Sequence, residues 1–201
     1  MNNQITKAKK IFNKNHGILR TCRAIELGIH PRTLYSMEKK NIIEKMSLGV
    51  WRLIDHIPEN LDLVTVALAI PKGVICLISA LSYYDLTTQI PRKIDIALLR
   101  NSKKPTLNYP PIRILYFSKK MFEIGIKKYK IDNVEIKIFS REKTIVDCFR
   151  LRNKIGLDVA IEALKFYLRD DKSNIKHLLH LAKHCRIFNI IKPYIEGIVH
   201  E

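Results

Sequence analysis

The chain has 201 residues, 47% of them apolar, with 36 Lys and Arg against 19 Asp and Glu, a formal charge of +17 and a pI near 9.8. That length suits one larger domain or two small ones, and the apolar share is enough for a core, which excludes a fully disordered chain. The charge points to a polyanionic partner, although a lysine-rich genome would raise the pI of every protein it encodes.

Residues 4–15, QITKAKKIFNKN, form the first expected helix, with Ile5, Ala8, Ile11 and Phe12 on one side, lysines on the other and Gly17 as its close. Thr21 to Leu27 is a short helical pattern that stops at Gly28, a residue suited to a left-handed C-cap. After Ile29 and His30 a second helix opens on Pro31, whose missing N–H costs nothing in a first turn. It runs to Lys40, with Leu34 and Met37 spaced to make one apolar face. Ile42 to Lys45 and Val50 to Ile54 read as two short strands joined through Ser47-Leu48-Gly49. Two helices joined by a tight glycine turn and followed by such a hairpin make a winged helix-turn-helix, the second helix of which fits a major groove.

Arg32, Thr33, Tyr35, Ser36, Lys39 and Lys40 fall mostly on the face of that helix away from Leu34 and Met37. Arg32 and Thr33, near its N-terminal end, are expected at base edges, and Tyr35, Ser36, Lys39 and Lys40 at base edges or phosphates. Lys45 and Arg52 would meet the DNA backbone or minor groove from the wing, and Trp51 belongs in the core. A winged helix that serves only protein contacts, with its lysines merely solvated, is the alternative.

Pro58 marks a plausible boundary, giving domains over 1–57 and 58–201. Leu61 to Ile70 reads as a buried helix. Val74 to Ile78 is a short apolar stretch leading into a helix over 79–84, and Lys93 to Leu99 has strand character. Residues 101–111, with three prolines, are a loop, and Ile112 to Phe117 is again strand-like. Ile126 to Ile131 and Val134 to Phe139 flank Asp132-Asn133 as a hairpin. Ser140 is a fair N-cap, and Thr144 to Arg152, Leu157 to Leu168, Asn174 to His184 and Asn189 to Val199 are helical. The expected class is α+β: a winged helix-turn-helix, then a mixed α/β domain ending in a helical bundle.

Charge is not spread evenly. Residues 1–57 carry 11 basic and 4 acidic side chains, residues 58–99 carry 3 and 4, residues 100–143 carry 12 and 4, and residues 144–201 carry 10 and 7. A uniform bias would not leave the second segment slightly acidic. Within the third, Lys119, Lys120, Lys127, Lys128 and Lys130 form a second candidate polyanion surface. No apolar run approaches the roughly 18–20 residues of a spanning helix. The opening MNNQITKAKKIF lacks a signal-peptide apolar region. Cys22, Cys76, Cys148 and Cys185 are scattered without a CxxC pair, as suits reduced thiols. A cytoplasmic protein away from membranes is the expectation.

Motifs for catalysis are missing. There is no GxGxxG, no GxxxxGK[ST] and no GxSxG. His177, His180, His184 and Cys185 share one helix, but a zinc site needs ligands from a second element too. Asp147, Asp158 and Glu162 are a possible carboxylate cluster, with the last two also reading as a solvated helix face. Ser79 followed by Asp95-Ile96-Ala97 resembles in outline the Gly-Ser and Asp-x-Asp layout of nucleotidyltransferases. Ile78 stands where that pattern has Gly and Ala97 where it has its second Asp, and losing one carboxylate cripples metal-held chemistry. No catalytic residue, metal or cofactor is therefore expected.

Two longer stretches carry a closer resemblance. IPKGVICLISALSYYDLTTQIPRKIDIAL and SREKTIVDCFRLRNKIGLDVAIEAL resemble the AbiEi-type antitoxin family of abortive-infection toxin–antitoxin systems. Its marks here are Pro71-Lys72-Gly73, Ser79-Ala80-Leu81, Gln89-Ile90-Pro91, Glu142-Lys143-Thr144, Asp147-Cys148 and Lys154-Ile155-Gly156. The resemblance implies an antitoxin of a type IV system in phage defence. It would repress its own operon by binding double-stranded inverted repeats, and would counter a nucleotidyltransferase-like toxin encoded alongside, with no direct binding between the two assumed. A nucleotidyltransferase-like enzyme or pseudoenzyme is the second reading, and a stand-alone winged-helix regulator the third.

Overall fold

The computed structural model describes residues 2–47, 49–56, 60–131 and 134–199. The chain is α+β, with helices and two sheets arranged in two compact units. The first unit comprises 1–72, 104–112 and 129–136, and the second 73–103, 113–128 and 137–201. The expected boundary at Pro58, the Leu48 turn and the Asp132-Asn133 turn lie outside the described residues.

In the first unit the order is α1 (Asn2–Lys14), β1 (Ile18–Arg20), α2 (Thr21–Glu26), α3 (Pro31–Lys39), β2 (Ile43–Ser47), β3 (Val50–Leu53) and α4 (Leu61–Ala69). α1 buries Ala8 and Phe12. β1 was not expected from its own residues: three positions carry no periodicity, and they become a strand only by pairing antiparallel with β3, Ile18 opposite Arg52 and Arg20 opposite Val50. β2 pairs with the other edge of β3, with Glu44 opposite Arg52 and Lys45 opposite Trp51, and the register shifts between Lys45 and Ser47. The sheet order is thus β1-β3-β2. Phe12, Leu19, Ala24, Ile29, Leu34, Met37, Ile43, Trp51 and Leu53 fill one core. α4, assigned beyond the boundary by sequence, packs on β2 and β3.

The turn between α2 and α3 has a specific construction. The Gly28 N–H donates to Ile25 O and the Ile29 N–H to Ala24 O, a Schellman pair that satisfies the last carbonyls of α2. Gly28 takes φ +87°, which only glycine adopts without strain. Ile29 and Ala24 are both buried, so the hydrophobic contact of that motif is present. α3 ends the same way on Asn41, at φ +52°, with the Ile42 N–H on Met37 O.

The second unit holds most of a five-stranded sheet, β4 (Val74–Ile75), β5 (Ile94–Leu99), β6 (Ile112–Phe117), β7 (Ile126–Ile131) and β8 (Val134–Phe139) in the order β6-β5-β4-β8-β7, of which residues 112, 129–131 and 134–136 are counted in the first unit. β4 runs antiparallel to β5 and parallel to β8. The helices are α5 (Leu77–Tyr83), α6 (Lys119–Phe122), α7 (Arg141–Arg150), α8 (Arg152–Ile155), α9 (Leu157–Arg169), α10 (Ile175–His184) and α11 (Phe188–Val199). α6 and α8 are single turns that the pattern does not announce. Ser140 caps α7 by accepting the Lys143 N–H, so the helix starts three residues before the expected Thr144.

α7 is the centre of this unit. Every residue from Lys143 to Phe149 is buried, and α5, α9, α10 and α11 pack around it. Lys143 and Asp147, one turn apart and both fully buried, form an ion pair, and Arg150 Nε donates to Asp147 Oδ1 at 3.1 Å. The Lys143 ammonium also lies 4.4 Å from the Phe139 ring centre. Gly125 makes room for it: a Cβ there would come within 2.7 Å of Lys143 Cβ, and its φ is +74°. Burial pushes the Cys76 and Cys148 thiols well up, with the Asp95 and Asp147 carboxylates adding to it.

Candidate nucleic-acid interface

α3 presents most of the expected residues as a row. Its N-cap is His30, whose Nδ1 accepts the Arg32 N–H at 3.1 Å. Leu34 and Met37 face the core, which turns Arg32, Tyr35, Lys39 and Lys40 to the surface. Among the described residues none of these cations has an acidic partner, so all are open to an anion. Arg32, Ser36 and Thr33 line a shallow groove of about 190 Å³ with Gln4 and Ile5 of α1.

The hairpin joins this surface through Trp51. The Trp51 ring is buried and its Nε1 donates to Thr21 Oγ1 at 2.8 Å, locking β3 to the start of α2. Tyr35 meets it edge-on at 5.8 Å between centres, and Lys45 Nζ stands 5.8 Å above it. One indole therefore holds an exposed tyrosine of α3 and an exposed lysine of β2 in place together.

Two of the expected contact residues are less exposed than the others. Thr33 is only 9% exposed, because it sits beside Leu34 on the side of α3 that turns towards α1. Arg52 is an internal brace: its side chain is 12% exposed, its Nε donates to Glu44 Oε1 at 2.9 Å, and its other nitrogens reach Glu44 and the His56 carbonyl. The signal was the hairpin register, which sets Glu44 directly opposite Arg52.

The second basic set is divided between the two units. Lys119, Lys120, Lys127 and Lys128 belong to the second unit and Lys130 to the first. All five are exposed, and Lys119 lies 4.0 Å from Glu123. Lys127, Lys128 and Lys130 lie on β7, an edge strand, where charge keeps the open backbone from pairing with another chain.

The residues considered for catalysis are dispersed. His177, His180 and His184 are exposed while Cys185 is buried, and among the described residues no three His, Cys, Asp or Glu side chains come together as a metal site. Asp147 is tied to Lys143 and Arg150, whereas Glu162 accepts from the Thr87 and Thr88 hydroxyls at 2.7 Å each. Asp95, 1% exposed, gives both oxygens to Arg113 of β6, at 2.6 and 2.8 Å. The Arg113 partner was missed by sequence reading because it comes from a strand 18 residues on, across a loop. Among the described residues no helix is long and apolar enough to cross a membrane. No family model matches the chain, and no curated protein matches it.

Proposed function

We propose that the first unit is a winged helix-turn-helix that reads double-stranded DNA, and that the protein is a cytoplasmic antitoxin that represses its own operon. The observation that carries the DNA reading is the set of exposed residues on α3 and β2, Arg32, Tyr35, Lys39, Lys40 and Lys45, of which Tyr35 and Lys45 meet at the fixed Trp51. A helix that begins with a free arginine behind a tight Gly28 turn suits entry into a major groove by its N-terminal end. The lysines then suit phosphate contacts, which position the helix without reading sequence. The antitoxin half rests on the AbiEi-like motifs between Pro71 and Gly156.

The nucleotidyltransferase-like reading is disfavoured by one geometry. Both Asp95 oxygens are engaged by Arg113, and Ala97, two residues along β5, offers no second carboxylate for a divalent ion. A stand-alone regulator would share the same DNA surface, and the adjacent open reading frame separates it from an antitoxin.

The test is a gel shift of the full chain on inverted repeats upstream of its own gene. The Arg32→Ala/Lys39→Ala variant should bind roughly tenfold more weakly or worse, given about 1–3 kcal/mol for a base-reading arginine. The same variant should still neutralise the co-expressed toxin. Unchanged DNA binding at moderate salt would refute the interface, and loss of neutralisation in a folded variant would refute the division of labour.

A further inference from the structure

The second unit contains a cavity of about 390 Å³ that no part of the DNA reading uses. Its walls are Ile78 of α5, the Gln89–Lys93 loop, Asp95 of β5 and Arg113 of β6. That size falls at the low end of small-molecule sites, roughly 300–1,000 Å³. One side is cationic. Arg113 is oriented from behind by Asp95, whose side chain is 2% exposed while that of Arg113 is 39% exposed. Asp95 is fixed in turn, since its N–H donates to Ser79 Oγ at 2.8 Å. Two Arg113 nitrogens are thus spent on positioning, and NH1 has no partner among the described residues. The hydrogen bonds to Asp95 raise the Arg113 pKa further, so it is a permanent cation.

Arg92 and Lys93 are exposed on the same rim, and among the described residues neither has an acidic partner. Asp95 is the one carboxylate in the lining and is already neutralised, so the cavity carries a surplus of two positive charges. The other side is apolar. Ile78 follows Leu77, buried at φ +44°, where the chain bends from β4 into α5. Ile90 is 90% exposed and stands beside Pro91. An isoleucine this open, next to unpaired cations, has an apolar surface with nothing on it. The loop carrying it is held at its root by Glu162, through Thr87 and Thr88.

We propose that this cavity binds a phosphorylated small molecule of mononucleotide size, with the phosphate on Arg92, Lys93 and Arg113 and the body against Ile78, Ile90 and Pro91. A guanidinium held in place by a carboxylate keeps its remaining N–H groups aimed at the cavity, where they can donate to phosphate oxygens. Because Asp95 is occupied by Arg113, binding needs no divalent cation.

Calorimetric titration of the full chain with ATP and with inorganic pyrophosphate, in EDTA and at constant ionic strength, tests this. Both probes should bind, ATP more tightly because it alone has a body for the apolar wall. Arg92→Gln/Lys93→Gln, which alters exposed residues only, should keep the thermal melt and weaken both probes by roughly tenfold or more. The Arg32→Ala/Lys39→Ala variant should bind both as the parent does, which separates this cavity from the DNA surface. No binding of either probe at millimolar concentration, a requirement for Mg²⁺, or binding unaltered by the Arg92/Lys93 change would overturn the site. Equal affinity for the two probes would overturn its apolar half.

Discussion

Around α3 and β2 the cations Arg32, Lys39, Lys40 and Lys45 are exposed and lack acidic partners among the described residues, whereas in the second unit Lys143 is fully buried against Asp147 and Arg113 is clamped by Asp95. The same residue types, counted alike in a net charge, do opposite work. In the first region the charge is available to a partner; at Lys143 it is consumed by the fold, and at Arg113 it is shared between the Asp95 clamp and the cavity. The net charge of a segment therefore says little about binding until its internal carboxylates are set against it. Substitutions in the two regions should separate accordingly.

The largest effect is expected at Lys143. Lys143→Met leaves the Asp147 carboxylate in a fully buried position with Arg150 alone, and breaking a buried pair costs about 3–5 kcal/mol. The unfolding free energy read from guanidinium melts should drop by that much. Adding Asp147→Leu should recover most of the loss, because a pair replaced by apolar side chains leaves no uncompensated charge. If the double variant is no better than the single one, the cost lies in packing around the Phe117 and Phe139 rings rather than in the ion pair.

The next contrast sets Arg52 against Lys39, two cations of the same unit. Arg52→Ala removes a brace between β3, Glu44 and the His56 carbonyl and should destabilise by about 1–3 kcal/mol, as for hydrogen bonds to charged groups. It should leave the salt dependence of DNA binding as it was. Lys39→Ala should do the reverse, with stability within about 0.5 kcal/mol and one fewer counterion released on binding. Denaturant melts paired with gel shifts at several salt concentrations check both. A reduced salt slope for Arg52→Ala would return that residue to the interface.

The distinction between these two residues also shows what was legible in the sequence. α1, α2, α3 and the hairpin could be read from local signals: the Ile5-Ala8-Phe12 spacing, Gly28, Pro31, and the alternation around Trp51. The exposure of Arg32, Tyr35 and Lys39 followed from the Leu34–Met37 face. The fate of Arg52 depended on strand register, and that of Thr33 on α1, packed against its helix from the start of the chain. Both are tertiary facts. β1 was hidden for the same reason, as was the Asp95–Arg113 clamp, which exists only because β5 and β6 are neighbours. Helix ends were partly hidden because Asn41 takes the left-handed position that a pattern search assigns to glycine.

The smallest effect is expected at Glu162, where the loop below the cavity is held rather than the fold. Partial burial works to raise this carboxyl, but the hydroxyls of Thr88 and Thr87 and the Thr88 N–H outweigh it and bring the pKa below the ordinary value. A carboxyl lowered on folding adds stability above its unfolded pKa, and that contribution is lost as pH falls through the folded one. The Thr88 amide resonance should therefore shift with pH, with a midpoint below that of an ordinary glutamate. Exchange of that amide should speed up below it. Glu162→Gln should abolish the titration while moving the melting temperature by roughly 1–2 °C, since a partly exposed interaction contributes well under 1 kcal/mol. A Thr88 amide that titrates unchanged in the Gln variant would assign its shift to another group, and would remove Glu162 as the anchor of the Gln89–Lys93 wall.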